Sequence, residues 1–559
     1  MFSTQQTVSD AIADVVAQQC DVVFGLMGNG NAHLVSSLTT RGTNFISSRH
    51  ESGAVAMADA YYRASGKATV ATATYGAGFT NTLTALTEAR MARIPLVLIV
   101  GDAPSVRRPI DIDQEMVAHG LGVETLTVTA ASARVTTERA FEFARHNSTP
   151  VVLAIPYDLA AAEAEPSVSL VPQPDVGRND PNNKDIEHVA LLLRGAERPL
   201  ILGGRGAWES GAAEVLREIG DDIGALFATS VMARNLFNSP WDLGIAGGFS
   251  RKGALALLRQ SDVVLAVGAS LNDFQMRYGT LFPSVQSLVQ VDTQAQRTHP
   301  CVTDHVQADA YDFSSKLLRV LQASPPRPGR SWRDREASVA TKEIFNETPV
   351  PEIAEDGRLD PRPFAQALER ILPVNRTIVQ DGGHFLGWMP MYATVPDPRS
   401  LILSGTAYQV IGLGFPSAVG AAAARPEHTT VLISGDGGGL MALPDLETMI
   451  RTVKSGVVVV FNDAAYGAEI HQYASRGLDD TAMLIDEIDF AAVGRALGAQ
   501  GIKATSLADL DVLQEWVSAG AKGVFVLDIP ISRAVVADYM LESLRPRARK
   551  ATTSVTESR

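Results

Sequence analysis

The residues best suited to chemistry in this sequence lie in two short turns of its last third. The first turn carries the carboxylate Asp436 within a run of four glycines, Gly435, Gly437, Gly438 and Gly439. Glycines let backbone N–H groups approach an anion closely at the start of a helix. A second turn about 27 residues later carries Asn462 and Asp463. Because Asp436 would repel a bare phosphate, the pattern indicates a diphosphate held through a divalent cation with oxygen ligands. A plain βαβ crossover with a glycine turn is the alternative.

The spacing of these two turns resembles a known cofactor motif. GDG followed by about two dozen residues and an Asn-Asp pair is similar to the thiamine-diphosphate-binding motif of acetolactate synthases, pyruvate oxidases, benzoylformate decarboxylases and pyruvate decarboxylases. The resemblance implies thiamine diphosphate and Mg²⁺ as cofactors, with Asp436, Asp463 and the backbone carbonyl of Ala465 as metal ligands. It also implies cofactor contacts from Gly435, Gly437, Gly438 and Tyr466. Most members carry asparagine in place of Asp463, so the added charge should tighten the binding of a hard cation.

A second stretch, RHESGAVAMADAYYRASGK, places Glu51 in the first turn of a predicted helix, Glu51–Ser65. A glutamate there would be ordinary charge matching to the helix N-terminus. The stretch is also similar to the family's RHE-x-x-A-x-x-M-A-x-x-Y-x-R-x-S-G-K. That resemblance implies that Glu51 is a buried carboxyl group, which hydrogen-bonds the aminopyrimidine ring of the cofactor and exchanges a proton with it.

Two further segments resemble residues beside the reacting centre of that family. Tyr75-Gly-Ala-Gly-Phe-Thr-Asn81 is similar to the turn S-G-P-G-x-T-N, which implies that Asn81 lies near the cofactor. Tyr75 replaces the usual small residue, so the substrate side is expected to differ. Asp113-Gln114-Glu115 is similar to the F-Q-E of acetolactate synthases and implies that Gln114 is an active-site residue. A solvated charged loop is the alternative for this trio.

A third part of the resemblance precedes the glycine run. Asp381-Gly-Gly-His-Phe-Leu-Gly-Trp388 matches D-x-G-x-x-x-x-W and implies that Gly383 and His384 approach the diphosphate. His384 would fit equally well as a buried core histidine. Ile411 matches the bulky residue over which the cofactor bends into a V. A branched side chain at that position forbids the extended cofactor, so Ile411 would bring its two rings together.

The segment that follows the second turn departs from acetolactate synthases, in which it is apolar. Tyr466-Gly-Ala-Glu-Ile-His471 looks more like the Y-T-I-E followed by I-H of the decarboxylases. Glu469 and His471 are therefore candidate proton-transfer residues, with a surface charge as the alternative for Glu469. Residues 76–81 and Gln114 favour transfer of an acyl carbanion to a second carbonyl, whereas Glu469 favours simple decarboxylation.

These motifs predict a thiamine-diphosphate enzyme that cleaves a 2-oxo acid, with the cofactor as electron sink. The favoured activity is that of an acetolactate-synthase-like carboligase, and a non-oxidative decarboxylase that releases an aldehyde is the alternative. A flavin-containing oxidase is less favoured, because residues 245–253 and 268–274 show no convincing phosphate loop for FAD. Loss of Glu51 or Asp436 would have indicated a non-enzymatic subunit, and both residues are present.

The elements that must position these residues form three successive strand-helix units. Short apolar runs bounded by turn residues predict buried strands, and amphipathic segments between them predict helices. This alternation predicts an α/β protein with three doubly wound parallel-sheet domains. Segments 162–183 and 322–357 are rich in proline and polar residues and are predicted as linkers. The family order then implies a pyrimidine-binding domain over residues 1–165, a middle domain over 184–322 and a diphosphate-binding domain over 358–544, followed by a flexible tail over 545–559.

Composition excludes several classes of partner. The chain has 559 residues, a formal net charge of −14 and 46% hydrophobic residues. Such a charge gives no electrostatic basis for binding nucleic acid. Residues 400–424 lack charges but contain too many glycines and polar groups for a lipid-exposed helix. The sequence therefore predicts a globular protein without a membrane partner.

Two features concern location and assembly. Cys20 and Cys301 lie far apart without metal-ligand spacing, and the first residues show no signal-peptide pattern. Together they predict a cytoplasmic protein. The family resemblance implies a homodimer or homotetramer with each active site between two chains, Glu51 coming from one chain and Asp436 from the other.

Overall fold

The computed structural model describes residues 6–166, 181–323 and 331–543. Its strands form three six-stranded sheets in successive parts of the chain, and all neighbouring strands are parallel. The predicted α/β fold with three doubly wound parallel sheets is confirmed. The exact domain boundaries stay predictions, and the predicted tail lies outside the described residues.

The described part of the N-terminal unit, residues 6–166, contains six strands and six helices. Its strands are β1 (Val22–Gly25), β2 (Asn44–Ser47), β3 (Val70–Ala73), β4 (Val97–Asp102), β5 (Glu124–Thr127) and β6 (Val151–Pro156). Its helices are α1 (Val8–Gln19), α2 (Ala32–Thr40), α3 (Glu51–Ser65), α4 (Ala77–Met91), α5 (Gln114–Gly120) and α6 (Ala133–Asn147). The strand order is β2-β1-β3-β4-β6-β5. The four inner strands are apolar and buried because helices cover both faces.

The middle unit has the strand order of a dinucleotide-binding sheet. Its strands are β7 (Pro199–Gly203), β8 (Leu226–Thr229), β9 (Asp242–Ile245), β10 (Val263–Val267), β11 (Ser287–Asp292) and β12 (Asp304–Gln307). Its helices are α7 (Asn183–Gly195), α8 (Arg205–Glu209), α9 (Ala213–Ile223), α10 (Lys252–Leu258), α11 (Ala310–Gln322), α12 (Trp332–Arg335) and α13 (Ala337–Ala340). The order β9-β8-β7-β10-β11-β12 corresponds to 3-2-1-4-5-6.

Part of the second predicted linker belongs to this middle unit. Helices α12 and α13 fall within residues 322–357. Trp332 and Val339 are buried in the same hydrophobic cluster as Leu226 and Leu243. These apolar side chains, set among prolines and charges, pack the segment onto the sheet.

The C-terminal unit repeats the topology of the first. Its strands are β13 (Arg376–Gln380), β14 (Leu401–Leu403), β15 (Thr429–Gly435), β16 (Ser455–Asn462), β17 (Gln500–Lys503) and β18 (Gly523–Pro530). Its helices are α14 (Pro361–Ile371), α15 (Trp388–Tyr392), α16 (Gly414–Ala424), α17 (Asp436–Met441), α18 (Leu443–Thr452), α19 (Gly467–Tyr473), α20 (Phe490–Ala496), α21 (Leu510–Ser518) and α22 (Asp538–Ser543). The order β14-β13-β15-β16-β18-β17 is that of the N-terminal sheet. Short 3₁₀ helices in the chain lie at Val231–Ala233, Arg277–Gly279, Glu343–Phe345, Pro398–Ser400, Ala474–Arg476, Thr481–Met483 and Leu507–Asp509.

The N-terminal and C-terminal units share one hydrophobic core. Ala54 and Ala58 of α3 belong to the same buried cluster as Phe415 and Ala418 of α16. Small side chains on both helices let their backbones approach closely. The uncharged segment 400–424 is therefore β14, a loop and the buried helix α16. None of the described helices is long and apolar enough to cross a membrane. Both cysteines are free, Cys20 buried and Cys301 exposed.

Candidate active site

Three aspartates mark the carboxyl ends of three neighbouring strands. Asp381 follows β13, Asp436 follows β15, and Asp463 follows β16. These strands lie side by side in the C-terminal sheet. Ligands of parallel α/β sheets bind beyond this edge, so the topology brings together residues that are far apart in the sequence.

Asp436 and Asp463 form a pair of buried carboxyl groups, 3% and 2% exposed. Asp436 Oδ2 accepts a hydrogen bond of 3.1 Å from the backbone N–H of Ala465. Burial and the adjacent Asp463 carboxyl raise the pKa of Asp436. Two such groups retain a proton unless a cation lies beside them, and their oxygens suit a hard divalent cation. Among the described residues no group of three His, Cys, Asp or Glu side chains is placed to hold a metal, so other ligands would have to be backbone, cofactor or water oxygens.

Several hydrogen bonds from neighbouring residues fix the turn that carries Asp463. Asn462 accepts a hydrogen bond of 3.2 Å from the Ala464 N–H and donates one of 3.1 Å to Asp528. Arg533 donates to the carbonyls of Asp463 and Ala464 at 2.6 and 3.1 Å. Ala464 has a φ of 54°, which is strained for a residue other than glycine. These contacts fix the direction of the Asp463 side chain, and Asn462 has a structural role.

The glycine run forms the first turn of a helix, whereas the sequence predicted a glycine-rich loop. Helix α17 begins at Asp436 and includes the three glycines after it. Glycine is needed here because neighbouring side chains lie very close to the backbone; none of the three glycines has a positive φ. A Cβ atom on Gly437 would lie 2.7 Å from the Tyr466 ring, and one on Gly438 would lie 2.9 Å from Asp381 Oδ2. Any side chain would fill the space beside the carboxylates, so this cradle fits a diphosphate.

Asp381 organises the floor of the site, a role that sequence reasoning missed. Its carboxylate accepts hydrogen bonds from the N–H groups of Gly382 at 2.8 Å and Gly412 at 3.2 Å. The Ser434 hydroxyl donates to it at 3.3 Å. Burial raises the pKa of Asp381 to about 6. Ile411, next to Gly412, lies against Gly382, where an added Cβ would be 2.9 Å from Ile411 Cγ2. An aspartate at the end of an apolar strand, followed by two glycines, was the available signal.

His384 lies beside the carboxylate pair. It is 3% exposed, and its Nε2 is 3.0 Å from Asp463 Oδ2. The ring of His471 lies 5.3 Å away between centroids. Burial and the neighbouring His384 lower the pKa of His471 to about 4, so His471 is neutral at ordinary pH. Gly383, with a φ of 146°, turns the chain before His384.

Two other predicted residues near the carboxylates differ in their surroundings. The backbone at Gly435 passes close to Phe385, where an added Cβ would lie 2.5 Å from Cε1 of the ring. Glu469 is exposed on α19. Within the described ranges its carboxylate has no hydrogen bond or ion pair. The structure therefore does not bring Glu469 into the cluster of His384, His471 and Asp463.

The N-terminal unit holds a second set of predicted residues. Asn81 Nδ2 donates to Glu51 Oε2 at 3.0 Å. Glu51 is half-buried in the single chain, less enclosed than the sequence implied. Gln114 is buried, and its Oε1 accepts from the Gly76 N–H at 2.6 Å. Gln114 Nε2 donates to the Gly101 carbonyl at 2.9 Å. The helix start at Glu51 and the turn before α4 are thus adjacent.

A polar and aromatic group adjoins this turn and was not predicted. Tyr75 Oη accepts hydrogen bonds from Asn29 at 2.9 Å and from Arg108 at 3.2 Å. The Arg108 guanidinium lies 4.4 Å from the ring centroid of Tyr75 and 5.0 Å from that of Tyr157. It also forms an ion pair of 2.7 Å with Asp111. Four separate segments supply these side chains, so no local motif signals them.

The two sets of residues are not joined through Glu51 within one chain. In the part of the chain that the structure describes, Glu51 forms no hydrogen bond or ion pair with the C-terminal unit. The neighbouring backbone does make contact, since the Arg49 N–H donates to Asp445 Oδ1 at 2.8 Å. The units therefore touch, while the carboxylate of Glu51 engages only Asn81.

A separate cleft of about 660 Å³ lies between the middle unit and the N-terminal unit, which contributes Tyr62, Arg90 and His146 to its lining. Its lining includes Gly248, Phe249, Gly268 and Phe274, from the segments in which the sequence showed no phosphate loop. The cleft opens at the carboxyl ends of the strands, where a nucleotide would bind. FAD therefore stays a possible but not favoured cofactor, as the sequence predicts.

Comparison with known proteins places these residues in a family. The N-terminal thiamine pyrophosphate (TPP) binding domain of thiamine pyrophosphate enzymes matches residues 6–121. The central domain of these enzymes matches residues 186–317, and their C-terminal TPP binding domain matches residues 381–529. The three matches cover most of the chain and follow the order of its three sheets.

Several curated relatives resemble the chain along most of its length. Sulfoacetaldehyde acetyltransferase of Castellaniella defragrans is 26% identical over 548 residues, covering 90% of this chain and 89% of the relative. Acetolactate synthase isozyme 2 large subunit of Escherichia coli (strain K12) is 27% identical over 509 residues, covering 87% and 88%. A probable 2-ketoarginine decarboxylase of Pseudomonas aeruginosa is 26% identical over 540 residues, covering 94% of each. Their names state different reactions, so the likeness does not fix one activity. The chain belongs to the thiamine pyrophosphate enzyme family and is an acetolactate-synthase-like, thiamine-diphosphate-dependent enzyme.

Proposed function

We propose that the protein is a carboligase that cleaves a 2-oxo acid and transfers the acyl unit to a second carbonyl compound, using thiamine diphosphate and Mg²⁺. When bound, thiamine diphosphate supplies the electron sink for breaking the bond beside a ketone. The different surroundings of Gln114 and Glu469 favour a carboligase over a decarboxylase. Gln114 is buried and bonded to the Gly76 turn, whereas Glu469, the residue that favoured decarboxylation, is exposed.

The C-terminal residues support a role in holding the diphosphate and the metal. Asp436, Asp463 and the carbonyl of Ala465 are the proposed Mg²⁺ ligands. The glycine run begins α17 directly at Asp436 and has no side chains, which suits a phosphate. His384, whose Nε2 lies 3.0 Å from Asp463 Oδ2, is the proposed side-chain donor to a phosphate oxygen. In this arrangement the proposed Mg²⁺ would neutralise both the diphosphate and the buried carboxylates of Asp436 and Asp463.

The N-terminal residues support a role in proton transfer. Asn81 orients the Glu51 carboxylate through the hydrogen bond of 3.0 Å. Glu51 then holds or releases a proton at a ring nitrogen of the pyrimidine. Ile411, backed by Gly382 and Asp381, would be the apolar support for the bent cofactor.

An assay of products tests the proposal. The purified protein, loaded with thiamine diphosphate and Mg²⁺, is incubated with pyruvate alone, with pyruvate plus an aldehyde acceptor, and with 2-ketoarginine, the 2-oxo acid in the name of one relative. We expect loss of the 2-oxo acid with more carboligation product than free aldehyde. Free aldehyde as the main product would establish the decarboxylase alternative. No consumption of any 2-oxo acid would contradict both.

We further infer a homodimer or homotetramer with each site shared between two chains. Large apolar side chains near both sets of site residues are exposed in the single chain: Met27 (61%), Ile110 (66%), Met116 (70%) and Met441 (57%). Exposed apolar side chains of this size favour burial against another chain. A partner chain would also cover the half-buried Glu51.

Mixing two inactive variants tests the shared site. Glu51→Gln and Asp436→Ala each damage one half of the site. After denaturation and joint refolding, a mixed dimer contains one intact site if the halves come from different chains, so about a quarter of wild-type activity should return. Each variant refolded alone is the control. No recovery in a mixture shown by mass spectrometry to contain mixed dimers would refute the shared site.

A further inference from the structure

The loop that carries Ile411 has a strained backbone. It joins β14 to α16 and contains three residues with positive φ, Gly405 at 77°, Gln409 at 62° and Gly412 at 83°. The left-handed region is unfavourable for Gln409, which has a side chain. A loop with such a backbone keeps its shape only where its surroundings enforce it. The position of Ile411 therefore depends on whatever holds this loop.

The C-terminal unit holds one end of the loop. Asp381 accepts the hydrogen bond from the Gly412 N–H at 3.2 Å, immediately after Ile411. Within the loop, the Val410 N–H donates to the Gly405 carbonyl at 2.9 Å. These bonds leave the stretch between Gly405 and Val410 to be fixed by other residues.

The N-terminal unit supplies the other support. Glu88 on α4 accepts hydrogen bonds from two successive backbone N–H groups of the loop. Its Oε2 accepts from Tyr408 at 2.7 Å, and its Oε1 accepts from Ala407 at 3.3 Å. A carboxylate with two backbone donors is a directional and strong contact. It acts three residues before Ile411, across the boundary between the two units.

Glu88 is itself fixed by a buried ionic cluster. Arg63 of α3 donates to Glu88 Oε1 at 3.1 Å and to Asp59 Oδ2 at 3.1 Å. The same guanidinium donates to the Leu403 carbonyl at 3.2 Å, at the start of the loop. Glu88 is 2% exposed and Asp59 is 6% exposed. The cluster thus has few alternative arrangements and contacts the loop at both 403 and 407–408.

We propose that Glu88, held by Arg63 and Asp59, is a positioning residue for Ile411. Glu88 would in this way influence the shape of the bound cofactor from a distance, without touching it. The inference rests on the proposed role of Ile411. It predicts that loss of Glu88 impairs the reactivity of the bound cofactor more than its binding, because the diphosphate and metal contacts lie elsewhere.

The test uses Glu88→Gln in the full-length protein loaded with thiamine diphosphate and Mg²⁺. The amide nitrogen of glutamine cannot accept one of the two backbone bonds, and the charge opposite Arg63 is lost. We expect exchange of the thiazolium C2 proton of the bound cofactor into D₂O, followed by quenched-flow NMR, to slow by about 10- to 100-fold. We expect kcat to fall by a similar factor, with the KM of the 2-oxo acid and the dissociation constant of the cofactor changing by less than about threefold.

Glu369→Gln is the matched control. Glu369 also pairs with a buried arginine, Arg376, and accepts a backbone N–H bond of 3.0 Å from Thr394, but it lies in the C-terminal unit away from the Ile411 loop. This variant should lose stability in thermal unfolding and keep the C2 exchange rate. Glu88→Asp, which retains the charge but withdraws the carboxylate, provides a second reading if Glu88→Gln folds poorly, and it should also slow exchange.

Ile411→Ala tests the proposed role of Ile411 separately from the proposed role of Glu88. Slow exchange in Ile411→Ala and in either Glu88 variant, with normal exchange in Glu369→Gln, supports the positioning role. Slow exchange in Ile411→Ala but wild-type exchange in both Glu88 variants would overturn it alone. Wild-type exchange in Ile411→Ala would refute the role of Ile411, and this inference with it.

Discussion

Replacing Glu51 with glutamine distinguishes a catalytic carboxylate from an ordinary helix-terminal charge. Glu51 occupies the first turn of α3, and its Oε2 accepts the Asn81 hydrogen bond of 3.0 Å. Glutamine keeps a carbonyl oxygen for that bond and removes the charge and the transferable proton. A carboxylate at an exposed helix N-terminus contributes about 0.3–1 kcal/mol. The free energy of unfolding should therefore fall by no more than about 1 kcal/mol.

The expected loss of turnover is much larger. A positioned general acid or base contributes about 10²- to 10⁴-fold to the rate. At 1.36 kcal/mol for each factor of ten, this corresponds to about 2.7–5.4 kcal/mol in the activation barrier. The loss of the helix-terminal charge cannot account for this increase in the barrier, because that charge contributes only about 0.3–1 kcal/mol.

Three measurements on the loaded enzyme check this reasoning. Steady-state turnover should fall by at least about a hundredfold, while cofactor affinity by calorimetry and the thermal unfolding midpoint should stay close to wild type. Glu115→Gln is the control, since Glu115 is an exposed glutamate in the first turn of α5. It should affect neither turnover nor affinity. Turnover of Glu51→Gln within about threefold of wild type, with cofactor bound, would refute the assignment.

The other predictions concern the metal and the substrate side. Dialysis against EDTA should release thiamine diphosphate and abolish turnover, and added Mg²⁺ should restore both, because the proposed site places a cation between the diphosphate and the carboxylates of Asp436 and Asp463. Cofactor retained with full turnover in EDTA would contradict the proposed metal site. Asp463→Asn should raise the Mg²⁺ concentration for half-maximal turnover, since one of two ligand charges is lost. Tyr75→Phe removes the hydroxyl that accepts from Asn29 and Arg108. It should raise the KM of the 2-oxo acid or the acceptor by about tenfold and leave cofactor affinity unchanged; an unaltered KM and product ratio would show that Tyr75 only supports the fold.

Elements with strong local signals were predictable from the sequence. The helix predicted over Glu51–Ser65 has those bounds in the structure, and β10 lies at residues 263–267 as its apolar run predicts. In the first two units the apolar runs predict every strand except β5, β9 and β12. These three are edge strands with mixed or polar residues, so they form no apolar run and depend on pairing with a neighbour.

The position of a candidate site residue was predictable where its own turn has a recognisable sequence pattern. Asp436 and Asp463 fall into that class, and the fold brings them together as buried neighbours. Arg108 and Tyr157 approach Tyr75 only because three loops meet at one edge of the sheet. The same holds for Glu88, whose partner loop lies more than three hundred residues away in the chain. Such contacts depend on how the units pack, which periodicity and composition do not encode.

In the proposed dimer, helices α3 and α4 would connect two reaction centres. Their N-terminal halves carry Glu51 and Asn81, which would serve the site shared with the partner chain. Their far ends carry Arg63 and Glu88, which hold the loop of the chain's own C-terminal unit. Each helix has 15 residues and spans about 22 Å at 1.5 Å per residue. A small tilt of this pair on loading one site would shift the other, so cofactor binding to the two sites of a dimer is expected to be unequal.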